Sequence, residues 1–143
     1  MLQLTQFTGT KTVKACPMSL GEAEKVLRRT IDTSAVEEDR EKVEGYLVEY
    51  EDGYRSWSPK EAFEKAYRVS ETHLDRMRIE ISEVQARYLK GRQFSFSQEF
   101  RKLSEAKRNT LRKQLDSMEN YIYLLSRRIE LESEPEPENS DDK

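Results

Sequence analysis

Two stretches decide the fold: residues 73–91, HLDRMRIEISEVQARYLKG, and residues 105–129, EAKRNTLRKQLDSMENYIYLLSRRI. In the first, the apolar residues run Leu74, Met77, Ile81, Val84 and Tyr88; in the second, Leu111, Leu115, Met118, Ile122, Leu125 and Ile129. Both series step by three and four, the spacing that lines residues along one helix face. The pair therefore reads as a helical hairpin. Two helices closed only on each other still expose much apolar surface, so such a unit is expected to associate with copies of itself or with a partner.

The flanking residues supply the boundaries. Thr72 is placed to cap the first long helix, with Asp75 in its first turn favouring the dipole. Gly91 reads as the C′ residue that ends it. Phe94, Phe96, Phe100 and Leu103 fall in the connection and are expected to cover the open end of the hairpin. Ser104 caps the second helix, which is expected to run to about Leu131. From Ser133 onward, SEPEPENSDDK contains no apolar residue and reads as disordered.

Upstream of the hairpin the pattern changes. Residues 11–16, KTVKAC, alternate weakly as a short strand that Pro17 stops, and Ser19 with Glu22 forms a capping-box signature. A helix of about ten residues should follow, with Ala23, Val26 and Leu27 inward. Residues 32–44 are acidic and polar and read as a loop. Gly45–Tyr50 is a strand by its aromatic and β-branched content. Glu51-Asp52-Gly53 is a turn, and Tyr54–Trp57 returns as the next strand. Ser58-Pro59-Lys60-Glu61 then opens a helix, with Ser58 at N-cap and Pro59 at N1, carrying Ala62, Phe63, Ala66 and Tyr67. The fold class is α+β: a small β-α-β-β-α module followed by a helical hairpin that oligomerises. The expected domains are 1–69 for the module, 70–132 for the hairpin, and 133–143 for an acidic tail.

Composition narrows the chemistry. The chain has 143 residues, one Cys and one His, so Cys16 cannot form an intramolecular disulfide and a cysteine-built metal site is excluded. A single His73 argues against a conventional triad or a zinc site. No apolar run approaches a membrane span and no signal peptide opens the chain, which points to no membrane partner. There is no phosphate-binding glycine loop, no HExxH, no CxxC pair and no GxSxG. No cofactor is expected, and the chain does not read as an enzyme. Glu80 and Glu83 share a helix face, as most acidic pairs on solvated helices do. Tyr46, Tyr50, Tyr54 and Trp57 read as the core of the small sheet rather than a base-stacking platform, since only Arg55 interleaves with them.

The net charge of −3 hides a division. Residues 1–72 carry 11 basic and 14 acidic side chains, residues 73–129 carry 13 and 7, and residues 130–143 carry one and 7. The positive field thus belongs to the hairpin, where an anionic ligand would be drawn. Arg87, Lys90 and Arg92 lie at the C-terminal end of its first helix, and Arg127 and Arg128 at the end of its second. Helix dipoles favour cations at those ends. They disfavour Lys107, Arg108, Arg112 and Lys113, which crowd the start of the second helix. That excess raises the anion-site reading.

The segment from His73 to Ile129 resembles the small phage-encoded anti-CBASS proteins that act as cyclic-oligonucleotide sponges. That family reads roughly as a helix with R…E..EL..K…KL..F, then S..F..L, then L..Q…M..Y…L..RI. Here the counterparts are Arg76, Glu80, Glu83-Val84, Arg87, Lys90 and Phe94, then Ser97, Phe100 and Leu103, then Leu111, Gln114, Met118, Tyr121, Leu125 and Arg128-Ile129. The family position two beyond Arg87 is often a hydroxyl, and here it is Leu89; an aromatic is expected near the helix start, where Thr72 and His73 stand. The resemblance implies a compact homo-oligomer, a hexamer in the family, holding cyclic di- or trinucleotides without cleaving them. It implies that Arg87 touches a cyclic dinucleotide and Arg128 a cyclic trinucleotide. The candidate ligand-binding residues are Arg87, Lys90, Arg92, Arg128, His73 and Tyr88. The N-terminal residues 11–68 resemble an uncharacterised phage module. The reading that follows is a phage immune-evasion protein sequestering host messengers in the cytoplasm of the infected bacterium, with nucleic acid not its expected partner. The alternative is an oligomeric adaptor that binds a host defence protein.

Overall fold

The computed structural model describes residues 3–33 and 37–135. The chain divides into two compact units, Met1–Arg68 and Val69–Lys143. The fold is α+β: a three-stranded antiparallel sheet with short helices, then long helices.

In the first unit, β1 (Lys14–Pro17), β2 (Gly45–Glu49) and β3 (Arg55–Pro59) lie in that order across the sheet. β1 pairs with β2 from Lys14↔Glu49 to Pro17↔Tyr46, and β2 with β3 from Gly45↔Pro59 to Glu49↔Arg55. Gly53, at φ +85°, turns the β2–β3 hairpin, and Asp52 Oδ1 accepts from the Tyr54 amide at 3.0 Å. Gly45 has a different reason to be glycine: a Cβ there would meet the Trp57 ring at 2.3 Å. Trp57 in turn donates its Nε1–H to the Met18 carbonyl at 2.8 Å.

α1 (Leu20–Leu27) starts at the expected capping box, Ser19 with Glu22. It buries Leu20 and Ala23 completely, but Val26 is half exposed, contrary to the inward position expected of it. The helix is only two turns long, so a single narrow stripe suffices to cover the sheet. It ends on Arg28 at φ 55°, ψ 40°, a left-handed cap with no glycine in it. Within the expected 32–44 loop, Glu37–Lys42 forms a 3₁₀ turn. Arg40 of that turn pairs with Glu24 of α1, which explains why so polar a stretch becomes ordered there.

α2 (Lys60–Ala66) departs from its expected start. Ser58 is the cross-strand partner of Tyr46, the strand runs on to Pro59, and Pro59 occupies the cap position with no side-chain hydrogen bond. The ladder thus takes the residue that local chemistry assigned to capping. Ala62 and Ala66 are exposed. The helix attaches through aromatic stacking instead: Phe63 lies 4.2 Å from Tyr46 and 4.9 Å from Tyr67.

The second unit is the helical hairpin. α3 (His73–Ser95) begins with a complete capping box, Thr72 with Asp75. Hydrogen bonds from the Asp75 carboxylate's neighbours at Thr72 hold its pKa below the ordinary value. α4 (Gln98–Arg101) is one turn, capped by Ser97, and α5 (Glu105–Ser133) is capped by Ser104 as expected. α5 runs to Ser133, so the first residue of the expected tail is helical; residues 136–143 lie outside the described residues.

α3 packs antiparallel along α5. His73 stands opposite Arg128, with Nε2 and Nη2 3.3 Å apart, and the Tyr121 hydroxyl donates to the Glu80 carboxylate. Gly91 faces Leu115, whose Cδ2 lies 2.7 Å from where a Cβ would sit. Gly91 does not end the helix, as sequence suggests; it lets the two backbones approach. Met77, Leu115 and Leu125 are buried, and the other members of the two apolar stripes are half-buried.

Candidate functional site

The connecting end of the hairpin concentrates positive charge. Between residues 86 and 113 stand nine basic residues and only two acidic ones, Glu99 and Glu105. None of the nine forms an ion pair among the described residues; the pairs that exist involve Lys25, Arg40, Arg55, Lys60, Lys65 and Arg127. Eight of these cations are exposed and Arg108 is half-buried. Repulsion among them raises the free energy of the unliganded hairpin, and an anion relieves it.

Local structure explains how the cations are held. α3 continues one turn past Gly91, so Arg92 and Phe96 lie four residues apart and the guanidinium sits 5.5 Å from the ring centroid. Phe100 is buried beneath the connection, with Phe94 edge-on at 6.0 Å and the Arg112 guanidinium 5.3 Å from its ring. Phe94 packs at the hairpin end through its edge-on contact with Phe100, whereas Phe96 does not cover that end as its apolar character suggested. Phe94 belongs to the last turn of α3, and Phe96 is its C-cap and is 72% exposed. Phe100, on α4, performs that closure with half-buried Leu103.

Of the six candidate ligand-binding residues, the fold groups Arg87, Tyr88, Lys90 and Arg92 on the last turns of α3. It places His73 and Arg128 together at the opposite end. The fourteen residues from His73 to Arg87 span about 21 Å along a helix, at roughly 1.5 Å per residue. One hairpin therefore cannot bring all six around one small molecule. Arg87 and Lys90 are exposed, and Tyr88 is half-buried.

The His73–Arg128 end has its own character. Two groups capable of donating to an anion are held side by side, although they are 55 residues apart in sequence. Next along the seam, the hydrogen bond to Glu80 raises the Tyr121 pKa above its ordinary value, keeping the phenol protonated. Among the described residues, no group of three His, Cys, Asp or Glu side chains is placed to hold a metal ion.

Arg108, Arg112 and Phe96 fell outside the candidate set read from sequence, yet they belong to the charged pole. A signal for the two arginines existed: they are cations at the positive end of a helix, which local electrostatics disfavours. The exposure of Phe96 had no such signal, since it follows from α3 outrunning Gly91. In the first unit, Lys11 lies over Tyr50 and Arg29 over Tyr54 at 5.7 and 5.5 Å, so cations interleave with those aromatics in space where the sequence showed only Arg55.

Residues 71–131 match the family model described as Sequestin. The matched span starts one residue before the cap of α3 and ends within the last turn of α5, so it covers the hairpin. The family's description denotes sequestration, that is, binding rather than conversion. No curated protein and no solved structure matches the chain. No helix among the described residues is long and apolar enough to cross a membrane.

Proposed function

We propose that this chain sequesters an anionic cyclic oligonucleotide, a cyclic di- or trinucleotide, by reversible capture on its helical hairpin. The observation that carries this reading is the pole of nine cations without carboxylate partners among the described residues. Arginine forks suit phosphodiester oxygens, and an exposed ring beside them suits a base. The hairpin's match to a sequestering family supports capture over turnover. Arg87, Lys90, Arg92 and Tyr88 would hold the ligand at the connecting pole. Arg128 with His73 would form a second locus about 20 Å away along α3, a separation consistent with two ligand sizes.

Oligomerisation belongs to the same proposal. α5 leaves Tyr123, Leu124 and Leu131 largely exposed and α3 leaves Leu89 so, which a second copy would cover. In a hexamer these faces would bring poles of neighbouring protomers together around the ligand. The biological setting we propose is immune evasion by a phage, in the cytoplasm of an infected bacterium.

Native mass spectrometry with a panel of cyclic di- and trinucleotides tests this reading. The expected result is an oligomer that takes up ligand in fixed stoichiometry and releases it unaltered on denaturation. Arg87→Ala should weaken a cyclic dinucleotide and Arg128→Ala a cyclic trinucleotide, each by about ten- to a hundredfold for a lost charge-assisted contact. A linearised product would indicate an enzyme, and no nucleotide binding at all would favour the adaptor.

A further inference from the structure

Arg108 stands apart from the other cations of the connecting pole. It is half-buried, and its Nε is buried without a hydrogen-bond partner among the described residues. An unpaired N–H on a desolvated cation is costly, and proteins retain few. Helical spacing places Arg108, Arg112 and Leu115 on one face of α5, and Leu115 faces Gly91 of α3. Both arginines therefore stand toward the last turns of α3, where Arg92 lies beside exposed Phe96. Arg112 lies over the Phe100 ring and bonds Asn109 Oδ1 at 3.3 Å through one nitrogen, its other donors having no hydrogen-bond partner among the described residues.

We propose that the connecting pole binds a nucleotide at two points: Arg108 and Arg112 hold its phosphate, and Phe96 with Arg92 takes its base. This rests on the sequestration reading and names residues for it on both helices. A guanidinium over a ring keeps its in-plane N–H groups for an anion. An exposed ring with a cation beside it is a stacking surface for a base.

The pole's limits favour a small nucleotide over a polynucleotide. Toward the middle of the hairpin the cations stop: residues 114–126 contain Asp116 and Glu119 and no basic residue, and α3 presents Glu80 and Glu83. A polynucleotide needs a continuous basic track with repeated stacking rings. Here the charge ends in acidic flanks after a few turns, about the reach of one to three nucleotides.

The test uses the full chain, with cyclic diadenylate, cyclic triadenylate and a twenty-residue oligothymidylate as probes. Binding is measured by calorimetry, and the arginine Nε–Hε and phenylalanine ring resonances are followed by NMR. On adding the cyclic nucleotide that binds, the Arg108 Nε–Hε and Phe96 ring signals should shift. Arg108→Gln should weaken binding about tenfold or more, and Phe96→Ala, at an exposed site that leaves the fold intact, at least severalfold. Arg108→Lys should rescue only partly, since an ammonium cannot fork a phosphate. If a cyclic nucleotide binds while those resonances stay still and both variants bind as the wild type does, this assignment is overturned and sequestration stands. If only the oligothymidylate binds, both are overturned.

Discussion

Substituting Gly91 tests the geometry on which the hairpin depends, independently of any ligand. Alanine there should gain about 1 kcal/mol in helix propensity. Against that, its Cβ would lie 2.7 Å from Leu115 Cδ2, where ordinary contact begins at 3.4 Å. Leu115 is 5% exposed, so its methyl must retreat into packed surroundings. Overpacking of this kind costs about 1–3 kcal/mol, which leaves Gly91→Ala destabilising by roughly 1 kcal/mol. In a Leu115→Ala background the clash is gone and the new methyl partly fills the vacated space. There the same substitution should stabilise by about 1 kcal/mol. The coupling between the two sites is then about 2 kcal/mol, read from urea unfolding of the four proteins at one fixed concentration. Equal effects of Gly91→Ala in both backgrounds would refute the close crossing of α3 and α5.

Leu124→Asp, on the exposed face of α5, should dissociate the proposed homo-oligomer without unfolding the hairpin; light scattering that shows an unchanged mass would remove that face from the interface. Trp57→Phe should cost about 1–3 kcal/mol, because the Met18 carbonyl loses its donor at 2.8 Å, and thermal melting of the variant measures it. Asp75 has a depressed pKa in the folded chain, so its contribution is fully present above the unfolded Asp value near 3.9 and is lost as pH falls toward the folded one. Asp75→Asn should therefore flatten the acid limb of a stability–pH profile; an unchanged limb would mean the Thr72 capping box carries no linkage. Deleting residues 136–143, which contain no apolar residue, should leave the melting temperature unchanged, and a drop of several degrees would show that they dock.

Much of this architecture is legible in local chemistry. The capping boxes at Ser19 and Thr72, the Ser104 cap, the Asp52-Gly53 turn and the two apolar stripes need only neighbours a few residues away. The α+β class follows from them, as does the basic character of the hairpin. Local reasoning errs where a distant partner competes for the same residue. Ser58 is a good cap, but Tyr46 claims it for the sheet. Gly91 is a good helix stop, but Leu115 needs the space its missing side chain leaves. The polar 37–42 segment is a plausible loop, but Arg40 finds Glu24.

The candidate site divides the same way. Sequence alone determined that the hairpin is cationic, that the start of α5 holds more positive charge than its dipole favours, and that the chain offers few catalytic groups, because charge and residue type need no coordinates. Only the tertiary structure decided that His73 meets Arg128 while Arg87, Tyr88, Lys90 and Arg92 lie elsewhere, and that half-buried Arg108 has its Nε buried with no hydrogen-bond partner among the described residues. The physical reason is the antiparallel crossing of α3 and α5. It turns a sequence separation of 55 residues into a 3.3 Å contact, while the length of α3 keeps residues at its two ends apart within one chain.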